Sequence, residues 1–171
     1  ERIFAEGLAW AERLDDPLFA GRLHQAMAVL CAFDLHPEAA LRHATEWERA
    51  ASAMPDPELR AYAKWPSFAP LILTGDLAGA RRGAQWQIDA TRDHPAWGLR
   101  DWAMSAEAGA FWDLSRVEML TGNFERAQAS AAHASEVARG VGDLEMQSSG
   151  LAVLAAIAFY AGEPEASRAT V

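Results

Sequence analysis

The 171-residue chain contains a single cysteine, one lysine and one asparagine. With Cys31 alone, no intrachain disulfide can form, and a reducing compartment is compatible with the chain. Apart from Lys64 the 15 basic residues are all arginine, and 24 acidic residues outnumber them, leaving a formal net charge of −9. That balance argues against a surface built for nucleic acid or anionic lipid. No Gly-Lys-Ser/Thr phosphate loop occurs, so nucleotide hydrolysis is not written in these residues. No nucleophile elbow is present, and the Ser, His and Asp residues fall in no triad pattern. His24, His36, His43, His94 and His133 show no metal-ligand spacing with Cys31 or with one another. The longest stretch without charge, Met146–Gly162, falls short of the roughly 20 apolar residues a membrane span requires and includes Gln147, Ser148 and Ser149. The sequence therefore names no catalytic residue, metal ligand, cofactor or membrane segment, and the chain reads as a non-enzyme.

What is abundant is alanine, 38 residues of the chain, within a composition that is 51% hydrophobic and 23% charged. Such a composition is globular, and small residues at this density suit closely packed helices. Nearly every segment carries helical spacing, with no alternating strand pattern. The breaks between segments fall into two sets. Asp16-Pro17, Asp56-Pro57 and His94-Pro95 place a proline where a first helical turn accepts it, and Asp143 before Leu144 supplies an N-cap without the proline. Leu35-His36-Pro37, Gly75-Asp76, Gly122-Asn123 and Gly162-Glu163 each close an apolar run and open the next helix, as a helical hairpin does.

These breaks are evenly spaced. Asp16 to Leu35, Asp56 to Gly75 and Asp143 to Gly162 are each 19 residues, while Leu35 to Asp56 and Gly122 to Asp143 are each 21. The long interval from Asp93 to Gly122 fits the same rule if a helix starts after Asp101 and residues 93–100 are an insertion. The period is thus about 40 residues and two helices, the signature of a solenoid. Five residues after successive turns stand Ala40, Ala80, Ala127 and Ser167, and seven before them Ala28, Phe68, Ser115 and Ala155. Small side chains there let paired helices approach closely. Phe68 departs from the rule in the segment that also carries Pro66 and Pro70, where a kink is expected. The expected architecture is an all-α, right-handed α-α solenoid of about four hairpins: a leading helix at 2–14, then repeats at about 17–54, 57–92, 102–140 and 144–171. The first residues read as helix interior and both ends fall inside the repeat, so the chain reads as one repeat domain from a longer protein.

The stretches Leu73-Thr74-Gly75-Asp76-Leu77-Ala78-Gly79-Ala80 and Leu120-Thr121-Gly122-Asn123-Phe124-Glu125-Arg126-Ala127 resemble tetratricopeptide-type repeats. The link from Val137 to Asp143 and on through Tyr160 to Glu163 is of the same kind. With a period nearer 40 than 34, the chain is similar to the helical repeat arm of large ATP-binding LuxR-type (MalT-like) bacterial transcriptional regulators. That resemblance implies a cytoplasmic bacterial signalling protein in which a protein or peptide partner, or a small-molecule effector, bound on the arm biases a nucleotide switch in another domain. The alternative is a pure protein–protein scaffold with no small-molecule role. The resemblance also implies that the first helix of each pair lines a concave face. Counting back from each turn then gives Arg22, Gln25 and Val29; Tyr62, Trp65 and Ile72; Trp112, Arg116 and Met119; and Ser149, Ala152 and Phe159. Among these, Arg22, Gln25, Tyr62, Trp65, Trp112, Arg116 and Met119 are the candidate binding residues, aromatic faces and guanidinium groups being suited to a peptide or planar ligand. The competing reading makes them ordinary packing residues. Trp47 and Trp86, 12 and 11 residues after their turns, read as interhelix packing. A chaperone carboxylate clamp is excluded, because the Lys and Asn donors of such grooves are missing. The expected state is a monomer or a weak end-to-end dimer.

Overall fold

Every regular element of the computed structural model is a helix. It describes residues 2–170, the side chains of residues 101 and 170 excepted, and among the described residues there are eleven helical segments and no strand. They are α1 (Arg2–Arg13), α2 (Pro17–Phe33), α3 (Pro37–Ala53), α4 (Pro57–Tyr62), α5 (Trp65–Leu73), α6 (Leu77–Thr91), α7 (Leu99–Trp102), α8 (Ala106–Leu120), α9 (Phe124–Val141), α10 (Leu144–Tyr160) and α11 (Pro164–Thr170). The helices gather into two compact units that divide between Gly79 and Ala80.

The helix starts follow the capping chemistry of the sequence. Asp16 accepts a hydrogen bond from the Phe19 amide at 2.9 Å, Asp56 from Glu58 at 2.9 Å, Asp76 from Gly79 at 2.8 Å and Asp143 from Met146 at 2.9 Å. Each satisfies one amide that the first turn would otherwise leave without a partner. Pro17, Pro37 and Pro57 stand at the first turns of α2, α3 and α4, where the absent N–H removes no intrahelical bond. Four interhelix turns share one backbone solution: Leu35, Gly75, Gly122 and Gly162 all have positive φ, at 59°, 82°, 78° and 85°. Three of the four are glycine, which enters that region without a Cβ clash; Leu35 enters it against its sterics.

In the first unit α2 packs antiparallel on α3, α1 lies against α2, and α5 touches both α2 and α3. In the second unit α8, α9 and α10 pack mutually, with α11 against α10. Each unit thus contains one closely packed hairpin, α2–α3 or α8–α9, with a further helix against both of its members. Three helices, α3, α6 and α9, bury the same register. Ala40, Ala44, Trp47 and Ala51 in α3 match Ala80, Ala84, Gln87 and Thr91 in α6, and Ala127, Ala131, Ala134 and Ala138 in α9, and all twelve are buried. Around Ala127 and Ala131 the core of the second unit is completed by Val153 and Ile157, with Trp112, Met119, Phe124 and Leu154 partly buried against it.

Two segments differ from the sequence reading. The helix expected to kink at Pro66 and Pro70 is broken, ending as α4 at Tyr62 and restarting as α5 at Trp65. A proline ring at position 66 would collide with the carbonyl of residue 62 in a continuous helix, so the break falls one turn before it. The helix expected to start after Asp101 starts at Ala106. The left-handed residue Ala103, at φ 55°, ends the four-residue α7, and Ser105 caps α8 by accepting from the Ala108 amide at 3.1 Å. The insertion is tied to the body of its unit. The Ser105 hydroxyl donates to the Pro95 carbonyl at 2.7 Å, the Ala106 amide to Trp97 at 2.8 Å, and Gln87 Nε2 to the Ala106 carbonyl at 2.7 Å, while the His94 and Trp97 rings stack at 4.0 Å.

Candidate functional site

The seven candidate residues divide by burial. In the first unit Gln25 and Tyr62 are core residues, 3% and 1% exposed, so neither presents a surface to a ligand. Gln25 Oε1 is buried without a hydrogen-bond partner. Counting from the turn places both on the concave face, but α5 packs on α2 and both side chains lie in the core of the first unit. Arg22 is exposed, and Trp65 is half-buried with its ring 5.4 Å from that of Tyr62. Lys64, the sole lysine, forms an ion pair with Glu48 of α3. Trp47 is fully buried whereas Trp86 is 45% exposed. The structural equivalent of Trp47 is Gln87, and an offset of one residue is about 100° around a helix, enough to move a side chain from core to surface.

In the second unit Trp112, Arg116 and Met119 of α8 are brought together, one helical turn apart and all half-buried. The Arg116 guanidinium lies over the Trp112 ring, 4.6 Å from its centroid, and its Nη1 donates to Asp113 at 3.0 Å. The Trp112 indole N–H donates to the Ser149 carbonyl of α10 at 3.1 Å, which fixes the ring on which the guanidinium rests. Asp113 was absent from the sequence candidates, because acidic residues on a helix read as solvated. It is instead 3% exposed, and burial raises its carboxyl to about 7 against the opposing charge and hydrogen bond of Arg116. The i, i+3 spacing of Asp113 and Arg116 was the available signal.

Two further acids are buried along α8. Glu107 is 6% exposed, with desolvation raising its pKa and the His133 and Arg92 charges opposing. Glu118 takes Arg81 Nη2 at 3.2 Å and Asn123 Nδ2 at 3.0 Å, which ties α6 and the α8–α9 turn together. These partners make Glu118 a structural acid.

One histidine pair was invisible as a motif. His24 of α2 and His43 of α3 face each other with their Nδ1 atoms 2.9 Å apart. Their positions lie one turn outward from the Ala28 and Ala40 pair that the hairpin register sets opposite, so the register held the signal although the linear spacing did not. Burial lowers both pKa values; for His24, Glu46 opposes and Arg49 assists, and for His43, His24 and Arg42 assist while Glu46 opposes. Among the described residues no group of three or more His, Cys, Asp or Glu is placed to hold a metal ion, and no helix is long and apolar enough to cross a membrane.

No family model matches the chain, and no curated protein matches it either.

Proposed function

We propose that the chain is a non-catalytic helical-repeat interaction module whose recognition surface includes the Trp112–Arg116–Met119 face of α8. The observation that carries this reading is the state of Arg116. Its side chain keeps 27% of its surface exposed while it is held on an indole face and by a buried carboxylate. A guanidinium has five donors in a fixed fork, and Asp113 engages one nitrogen, so a planar or carboxylate-bearing group can be met by an already ordered side chain. Ordering before binding lowers the entropic loss on association. Met119 beside it supplies an adaptable apolar contact.

The recurring burial register of α3, α6 and α9, and the positive-φ turns that separate the helices of each hairpin, support a tetratricopeptide-like solenoid. Its resemblance to the arms of LuxR-type regulators supports a sensing role in a cytoplasmic bacterial regulator. There a peptide or small-molecule effector moves a switch only through its preference for one state of the arm. The scaffold reading has its own observation: Leu144, Leu151 and Phe159 of α10 are large apolar side chains, 50–76% exposed. Exposed apolar side chains spread along a helix suit a protein partner better than a small effector.

The test is a screen of metabolites and short peptides by thermal melting and tryptophan emission. A ligand of the α8 face raises the melting temperature and loses its effect in Arg116→Lys, which keeps the charge beside Asp113 but not the planar fork. A ligand whose effect survives Arg116→Lys and Trp112→Phe overturns the assignment of this face.

A further inference from the structure

We propose that the His24–His43 contact is a proton-operated clasp on the first hairpin, holding α2 against α3 while one proton bridges the two rings and loosening it when a second arrives. The geometry distinguishes a bridging proton from a chelated metal. The Nδ1 atoms are 2.9 Å apart and the ring centroids 5.2 Å apart. The difference is about the two ring radii added end to end, so the nitrogens point head-on, as an N–H···N hydrogen bond requires. Chelation instead needs both lone pairs turned aside toward a common third point, with the centroids drawn closer.

The protonation states follow from that arrangement. In the neutral pair one ring carries its proton on Nδ1 and donates to the bare Nδ1 of the other, whose own proton is on Nε2. The first added proton goes to the free Nε2 of the donor ring and leaves the bridge in place, now charge-assisted. The second must enter the 2.9 Å gap, where two N–H groups and two positive charges would face each other. Two interacting rings of this kind titrate as a pair, in two separated steps.

The surroundings favour the same order. The charges acting on the pair are all on α3: Glu46, which favours protonation, and Arg42 and Arg49, which oppose it. Glu46 is itself held by Arg49 at 2.9 Å, which blunts its attraction for a second proton. Of the other helices packed on α2 or α3, α5 has no ionisable residue, α1 carries Arg2, Glu6, Glu12 and Arg13, and α4 carries Glu58, Arg60 and Tyr62, while α2 itself carries Arg22. The clasp also sits near a close approach of the two helices. One turn away Gly21 faces Trp47, where an added Cβ would come within 2.9 Å of Ala50 Cβ and 3.1 Å of the indole ring. Parting of the rings therefore acts on the packing of the fully buried Trp47 against Gly21 of α2.

Because both rings bind protons less readily in the folded state, their contribution to stability is complete above the ordinary histidine value of 6.5 and is lost as pH falls below it. The experiment is a 15N titration of the imidazoles in the full chain between pH 8 and 4.5, with amide exchange read in parallel. The expected result is one Nδ1-protonated and one Nε2-protonated ring at pH 8. Two coupled steps follow, the second well below 6.5, with loss of protection confined to α2 and α3 at that second step. Independent titration of both rings near 6.5, or two Nε2-protonated rings at pH 8, would overturn the clasp. In His43→Gln, which accepts no second proton, the unfolding constant should rise about tenfold less per pH unit below 6.5 than in the wild type. Equal slopes in the two proteins would also overturn it, and if the variant does not fold the wild-type titration decides.

Discussion

Removing the Asp143 carboxylate should be the most damaging single change at any of the helix caps. Its Oδ1 accepts from the Met146 amide at 2.9 Å and starts α10, while its Oδ2 accepts from the buried Ser105 amide at 2.7 Å just ahead of α8. The side chain is 3% exposed, so no water replaces it without rearrangement. Asp143→Ala loses a cap, about 1 kcal/mol. It also leaves the Ser105 N–H buried and unpaired, about 1–3 kcal/mol. Together these give about 2–4 kcal/mol, which for a chain of this length lowers the melting temperature by roughly 4–16 °C. Asp16→Ala is the internal comparison, because Asp16 caps α2 at the surface with its Phe19 bond alone and should cost only about 1 kcal/mol. Urea unfolding followed by circular dichroism at pH 7.5 measures both. If Asp143→Ala costs no more than Asp16→Ala, the Asp143–Ser105 bond contributes nothing and the reasoning fails.

Leu35→Gly should stabilise the chain by about 1 kcal/mol, since Leu35 is 70% exposed and held at φ 59°, and relieving that backbone strain loses little packing. The same urea titration reads it, and a loss of stability would contradict the equivalence of this turn with Gly75 and Gly122. Asp113 carries a pH signature of opposite sign to the histidines. Its folded-state value of about 7 lies above the ordinary 3.8, so the folded chain binds the extra proton between those values and this group's contribution falls as pH rises from 4 to 7. Asp113→Asn should remove that fall, and melting curves across pH 4–7 that run parallel to the wild type would contradict the burial argument.

Much of the helical plan could be read from the chain because its punctuation is chemical. Asp16, Asp56 and Asp143 end one segment and cap the next, and the positive-φ turns at Gly75, Gly122 and Gly162 are where glycine has a steric advantage. The buried alanines at 40, 80 and 127 follow from counting past those turns. What could not be read depends on how helices face one another. Gln25 and Tyr62 lie on the expected binding face by register, yet both are buried in the first unit, where α5 packs against α2. Trp86 looked equivalent to Trp47 until a single residue of offset placed it on the surface. Asp113 and the His24–His43 pair are ordinary in sequence, and only the packing that buries one and joins the other two gives them distinct chemistry.

The most direct test of the binding account is amide chemical-shift mapping of the full chain with the strongest ligand from the thermal screen. The account predicts that the largest shifts fall on Trp112 to Met119 and on the Ser149 segment that holds the Trp112 ring. Shifts confined to the exposed Leu144, Leu151 and Phe159 of α10, with the α8 signals unmoved, would contradict it and assign the ligand to the scaffold surface instead.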